Sequence, residues 1–432
     1  MVARGSSGKV DRAGLIEVWD AALAAVAPAP LVAEALAALP ASLARRPRRV
    51  LAVGKAAASM LAGAARAGGW TDAVVVAPSA LPTADAALAG WPTPRWLFGA
   101  HPVPDARSVV AADALRSFVV ASPPRALLVA LVSGGASAMV AKPIEGLTLE
   151  EKIAAMSRLM ASGAPIAELN AARRARSAVK GGALIADAAG PVLSLIASDV
   201  AGDDPRVVGS GLTVSALARP LQASTNGADS SDGSDGTDGS DSSDDTRAVA
   251  AAALGGVREE DRWAVIARQD AVATAAARVL TARGVAVVRR RAPLVTDVEA
   301  VAAALVADVA SLAARPPWAL VAFGEPVVRL PSQPGVGGRA QQLALLLARH
   351  LDGTPITALV AGTDGVDGPS SPPVAGAIVD GDTWRKLTAA GIDGEAALAR
   401  CDARAALDAA GALLRTGPTG CNHADVMILT CG

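Results

Sequence analysis

A chain of 432 residues exceeds one typical hydrophobic core and predicts two domains. The formal net charge of −1 gives no global electrostatic case for nucleic acid or a membrane as partner. Aromatic residues at 2%, with no Tyr, argue against a base-stacking surface. Three cysteines, Cys401, Cys421 and Cys431, make no CxxC pair and fit reduced thiols. No uninterrupted apolar stretch of membrane-spanning length stands out, so the sequence predicts a cytoplasmic protein.

Ala13–Ala27 has helical spacing, with Leu15, Val18, Trp19 and Leu23 on a broad apolar face, and Pro28 and Pro30 are expected to end it. Arg49–Val53 reads as a strand that opens through Gly54-Lys55-Ala56-Ala57 into a helix. The dipole at a helix start favours anions, so Lys55 makes sense there with an anion beside it; the plainer alternative is a solvated side chain. Ala73–Ala77 is a second strand. His101, in the turn-rich loop Gly99–Asp105, is a structural or substrate-lining residue at most. Ala126–Val132 is apolar throughout and runs directly into Ser133-Gly134-Gly135-Ala136-Ser137-Ala138. Small residues after a buried strand let backbone N–H groups approach an anion, and Ser133 and Ser137 add hydroxyls. The plainer alternative is an ordinary strand-to-helix turn.

Thr148-Leu149-Glu150-Glu151 is a capping-box pattern opening a helix to Ala161. Glu168–Ala186 reads as a helix with Arg173, Arg174, Arg176 and Lys180 on it, ending at Gly181-Gly182. Such a basic face can hold a carboxylate or phosphate, and is more commonly solvated. Pro191–Ile196 is a strand that delivers Asp199 to its C-terminal end, where open α/β sheets bind ligands and where Asp can take Mg²⁺. Gln222–Arg247 then breaks the pattern with Ser, Gly and Asp. Without apolar anchors it reads as a disordered acidic insert, and it lacks the bidentate Glu of a Ca²⁺ loop.

Beyond the insert, strands Trp263–Ile266, Val285–Arg289, Trp318–Phe323, Ile356–Val360 and Val426–Leu429 alternate with helices Asp270–Arg283, Val298–Ala314 and Ala340–His350. Gly324-Glu325 ends one strand. Gly335-Val336-Gly337-Gly338-Arg339 leads into a helix, and an arginine fork suits spread phosphoryl charge. Asp364 and Asp367 lie in Ala361–Gly368, and Asn422 in the final loop Thr416–Asp425. The alternation predicts an α/β protein: two α/β domains with mostly parallel sheets, helices on both faces and an active-site cleft between them. The boundaries are drawn at 1–221 for the N-terminal domain, 222–247 for the insert and 248–432 for the C-terminal domain.

Taken together, AVGKAA at Ala52–Ala57, HPVPD at His101–Asp105, SGGASA, Leu169-Asn170, VKGG at Val179–Gly182, SDVAGDDP at Ser198–Pro205, GGR at Gly337–Arg339, AGTDGVDGP at Ala361–Pro369 and TGPTG at Thr416–Gly420 resemble the glycerate 2-kinase family of the glycerate kinase/MOFRL type. Some members of that family carry older names as hydroxypyruvate reductases. The resemblance runs from about Leu15 to Leu429 apart from the insert, with a MOFRL-like region at about 317–430. It implies transfer of the ATP γ-phosphoryl group to the 2-hydroxyl of D-glycerate or a similar hydroxy acid, with ATP and Mg²⁺ as cofactors. By that analogy Lys55 and Arg339 balance phosphoryl charge. Asp199 and Asp364 act as base, Mg²⁺ ligand or both. Ser133, Gly134, Gly135, Ser137, Lys180, Gly337, Gly338, Glu325 and Asn422 contact substrate or phosphate. The partners implied are the small hydroxy acid and a nucleotide, and a homodimer is compatible with the chain. The sequence departs from the family pattern at Phe323, where a glycine is usual, and at Ala340 and Gln342, where Asn and Glu are usual. Phe323 is expected to crowd backbone that normally approaches a ligand, and the loss of Glu at Gln342 to remove a metal or hydroxyl contact. Two other readings stand beside the kinase: a degenerate nucleotide-binding member without activity, and an NAD(P)H-linked hydroxypyruvate reductase. The latter wants G-x-G-x-x-G after a strand, which neither glycine turn supplies.

Overall fold

The computed structural model describes residues 10–78, 86–162, 166–200, 202–214, 218–221, 260–312, 316–369 and 371–432. The insert Gln222–Arg247 lies outside the described residues. Two compact units are built from interleaved parts of the chain. One takes the described residues of Pro28–Ser198 and Asp203–Ile266, the other those of Met1–Ala27, Asp199–Gly202 and Ala267–Gly432.

The first unit carries a seven-stranded sheet. Its strands are β1 Arg48–Val53, β2 Asp72–Ala77, β3 Arg95–Phe98, β4 Leu127–Val132, β5 Val192–Ala197, β6 Arg219–Pro220 and β7 Arg262–Ala267, in the order β3-β2-β1-β4-β5-β7-β6. The pairings β1–β2, β2–β3, β1–β4, β4–β5 and β6–β7 are parallel. All six residues of β4 and of β5 are buried, which explains why both read as unbroken apolar runs instead of alternating ones. The chain grows outward from β1 through β2 to β3, then returns to lay β4 on the other side of β1. The strand order therefore reverses between β1 and β4, and the loops leaving their C-terminal ends flank a topological switch point. Those two loops are Gly54–Ala56 and the SGGASA turn.

The second unit carries a six-stranded sheet of β8 Ala286–Arg289, β9 Trp318–Gly324, β10 Ile356–Gly362, β11 Gly376–Asp380, β12 Leu413–Leu414 and β13 Asp425–Cys431, in the order β12-β11-β10-β13-β9-β8. Here the expectation of a mostly parallel sheet fails. Only β8–β9 is parallel, and the four other pairings are antiparallel. The cause is the last strand. Helix Arg339–His350 connects β9 to β10 as parallel neighbours one strand apart, and β13 fills the gap between them in the opposite direction. Its two faces are buried as expected. Leu320, Ala322, Ala358, Val360, Met427 and Leu429 meet helices Val298–Ser311 and Arg339–His350. The alternate residues Ala319, Val321, Phe323, Leu359, Ala361, Val426 and Ile428 meet helices Arg12–Ala25 and Ala271–Ala282.

Three further expectations are corrected. The domain boundaries at 221 and 248 do not mark the two units, because Leu15, Val18, Trp19 and Ala22 complete the core over the second sheet while β7 extends the first. Pro28 begins a helix, Pro28–Ala37, instead of only ending one. A proline in the first turn lacks an N–H that would be unpaired there anyway. Finally, Arg12–Ala37 is long and apolar enough, by length and composition, to cross a membrane, and half of its apolar window is buried inside the protein.

Candidate active site

At the switch point the backbone ties the two loops together. Ser133 N–H donates to the Val53 carbonyl at 3.0 Å, and Lys55 N–H to the Gly134 carbonyl at 3.0 Å. The Ser133 hydroxyl accepts from Ala56 N–H at 3.0 Å, at the start of helix Ala57–Arg66. Gly54 makes this approach possible. It has a φ of +121°, and a Cβ there would lie 2.3 Å from Ser133 Oγ. Ser133 therefore holds Lys55 in place, and its hydroxyl oxygen is already engaged within the protein. Gly135, in the left-handed region at φ +82°, starts the short helix Ala136–Met139, and His101 packs on it.

Ser137 and Lys180 come together next. Lys180 Nζ donates to the Ser137 carbonyl at 2.7 Å and also bonds its hydroxyl, which lies 2.9 Å from Ser210 Oγ. The long helix expected over Glu168–Ala186 stops at Ala175. Gly181 and Gly182 turn the chain with φ of +66° and +86°, and their N–H groups bond the carbonyls of Ser210 and Gly211. Lys180 thus belongs to a loop and not to a helix face. It is 5% exposed, and burial, followed by the charges of Lys152 and Arg173, pulls its ammonium well below the ordinary lysine range. Lys152, in helix Leu149–Ala161, is 4% exposed, and burial pulls it down to about 8. Sequence reasoning missed Lys152, because a lysine after two glutamates in a first helical turn reads as solvated.

The second unit is built around Arg339, the first residue of helix Arg339–His350. Its Nε donates to Asp425 Oδ2 at 2.6 Å, and Nη2 donates to Asp425 Oδ1 at 3.1 Å and Glu325 Oε1 at 2.8 Å. Asp425 opens β13 between two glycines, paired with Gly324 on β9 and Gly362 on β10. Burial pushes its carboxyl up to about 7 against the pull of Arg339, with Asp367 and Glu325 adding to the rise. Arg339 is held firmly charged by the two carboxylates, which outweigh its own burial. Asp425 went unnoticed in the sequence because it looks like an ordinary residue at a strand start.

The glycine entry to this helix is not an empty phosphate cradle. The buried carboxylate of Asp367 accepts from Ala340 N–H at 3.0 Å, Gln341 N–H at 2.8 Å and the Gln341 side chain at 2.9 Å. A Cβ on Gly338 would lie 2.2 Å from Asp367 Oδ1, and a Cβ on Gly368 would lie 2.1 Å from the Gly337 carbonyl oxygen. Gly338 admits the Asp367 carboxylate, and Gly337 admits the turn at Gly368. Two further expectations change. Gln342 is buried and donates to the Leu398 carbonyl at 2.9 Å. Phe323 is a core residue packed with the Arg12–Ala25 and Ala271–Ala282 helices. It is the neighbouring Gly324 that needs space, because a Cβ there would lie 2.1 Å from the Leu294 carbonyl oxygen.

Asp364 accepts from Val366 N–H at 3.0 Å and approaches Gly362 from one side, as Asp425 does. Asp199 accepts from Asn422 Nδ2 at 3.0 Å, so these two expected residues do meet. Among the described residues, no three His, Cys, Asp or Glu side chains are grouped to hold a metal by themselves. The donor type still fits a nucleotide-borne Mg²⁺, which takes oxygen ligands and needs only one or two protein carboxylates. Asp199 and Asp364 supply oxygens of that kind. The structure thus places Lys55, Ser133–Ser137 and Lys180 in one unit and Arg339, Glu325, Asp364, Asp199 and Asn422 in the other.

These features define a two-unit α/β enzyme with cationic groups at strand ends. Residues 14–225 match the model of a domain of unknown function, DUF4147, and residues 318–425 match the MOFRL family. A protein of Agrobacterium vitis with the provisional name hydroxypyruvate reductase is 36% identical over 347 residues, covering 78% of this chain and 88% of that one. The glycerate 2-kinase of Pyrococcus horikoshii is 31% identical over 342 residues, covering 76% of each chain. The crystal structure of glycerate kinase from Thermotoga maritima superposes with a TM-score of 0.76 at 29% identity, covering 97% of this chain and 98% of that one. The chain belongs to the glycerate 2-kinase family, a family of kinase enzymes.

Proposed function

We propose that this enzyme transfers the γ-phosphoryl group of ATP to the 2-hydroxyl of D-glycerate or a close hydroxy acid. The observation that carries the reading is the backbone tie between the Lys55 loop and the SGGASA turn at the switch point of a family-typical α/β unit. Phosphoryl transfer relies on positioning and on offsetting charge that gathers on the transferring group. Lys55 supplies a point charge at a helix start, and its backbone is held by its own N–H on the Gly134 carbonyl and by the next residue's N–H, that of Ala56, on the Ser133 hydroxyl. Arg339 supplies a guanidinium whose orientation is set by Asp425 and Glu325. Asp199 or Asp364 accepts the proton of the attacking hydroxyl. Mg²⁺ arriving with the nucleotide, held by the same carboxylates, would offset phosphate charge.

The reductase reading finds no dinucleotide motif after any strand, and the turn after β4 reads SGGASA. The deciding assay offers a panel of three- and four-carbon hydroxy acids with ATP and Mg²⁺ and reads the product position by NMR. Phosphorylation at the 2-hydroxyl of D-glycerate or a close analogue is expected. Binding of nucleotide without turnover on any member would leave a degenerate binding protein. Oxidation of NADH or NADPH with hydroxypyruvate would establish the reductase.

A further inference from the structure

Among the described residues, three cations converge beneath the SGGASA turn with no anion beside them. The Lys152 Nζ is buried and meets no hydrogen-bond partner among the described residues. Arg173 Nη1 donates to the neutral Asn170 side chain at 3.2 Å, and Lys180 Nζ bonds only the Ser137 carbonyl and hydroxyl. The elements that carry them pack together. Helix Leu149–Ala161 lies on helix Ile166–Ala175, which contacts the Val208–Ser210 turn, and Ser210 bonds Ser137. Among the described residues, no carboxylate pairs with Lys152, Arg173 or Lys180. Burial of one unpaired ammonium is costly, and each further cation nearby raises the cost. Such a cluster is stable in its charged form only with an anion inside it. Two lysines and one arginine keep N–H donors for it, since an ammonium has three and a guanidinium five.

We infer that Lys152, Arg173 and Lys180 hold the carboxylate of the hydroxy-acid substrate, an inference that rests on the kinase reading. The transferring phosphoryl group already has Lys55 and Arg339 assigned to it. The fixed charge that the reaction leaves unassigned is the substrate carboxylate. Ser137, joined to both Lys180 and Ser210, brings a hydroxyl to the same cluster. Occupancy by a carboxylate pairs the buried ammonium groups and favours their charged forms.

Lys152→Met keeps side-chain length and removes the charge. In steady-state kinetics of the full chain it should raise the KM for D-glycerate by about tenfold or more, with the KM for ATP moving less than about twofold. Lys152→Arg should recover most of the affinity. D-glycerate should raise the melting temperature of the wild type and leave that of Lys152→Met unchanged. Arg173→Gln is read in the same way and serves if Lys152→Met does not fold. An unchanged KM for D-glycerate, or a rise confined to the KM for ATP, overturns the carboxylate pocket. If the wild type phosphorylates no hydroxy acid, the kinase reading fails, and the melting shift alone then judges the pocket.

Discussion

The two units meet charge in opposite ways. Beneath the SGGASA turn, Lys152, Arg173 and Lys180 are gathered without a carboxylate among the described residues, so that region is short of an anion. At the start of helix Arg339–His350, one arginine faces Asp425 and Glu325, and Asp367 fills the helix end, so that region supplies its own anions. The difference separates two uses of a cation. Arg339 is pre-oriented by protein carboxylates and costs little to hold. Lys152 and Lys180 are held at a cost that only a ligand offsets.

The largest effect should come from breaking the self-neutralised region. Arg339→Ala removes the fork and strands the buried Asp425. Turnover should fall about 100-fold or more, about 2.7 kcal/mol of barrier. Chemical denaturation should also show a stability loss of about 3 kcal/mol. Unchanged stability would contradict the buried pair. Asp367→Ala uncaps the helix and should cost about 1–2 kcal/mol in the same measurement, with a smaller loss of activity.

The anion-poor region can be sharpened by pH. Lys152 titrates at about 8 when folded and near its ordinary 10.5 when unfolded. Between those values the unfolded chain binds more protons, so stability rises as pH climbs from 8 towards 10.5, and the burial penalty is complete once pH has fallen to 8. Melting curves of the ligand-free wild type should therefore gain on Lys152→Met from pH 8 towards 10. A constant gap would contradict the burial of that ammonium. The smallest effect is expected at His101, which packs on Gly135 and has no assigned proton transfer. His101→Ala should cost less than about tenfold in kcat/KM.

Much of the fold was legible because buried parallel strands are unbroken apolar runs. β1, β4 and β5 were located within a residue or two, and the capping box at Thr148 forms as written. The mixed second sheet was not legible, because the direction in which β13 inserts depends on a long return and leaves no mark on its own apolar pattern. Site residues show the same limit. Glycines look alike whether they admit a phosphate or another part of the chain. At Gly54 the neighbour is Ser133, and at Gly338 it is Asp367. Pairs such as Arg339–Asp425, 86 residues apart, carry no local signal. Lys152 was hidden for the opposite reason, since its local context reads as a solvent-facing first turn.

The claim on which the account turns is that Lys55, in the loop tied to the SGGASA turn through Gly134 and through Ala56 on Ser133, offsets the charge of the transferring phosphoryl group. It is tested by turnover of Lys55→Ala on D-glycerate with saturating ATP and Mg²⁺, beside a melting curve of the same protein. The account predicts a fall in kcat of about 100-fold or more with the melting temperature nearly unchanged. A variant that folds normally and keeps most of the wild-type turnover would contradict it.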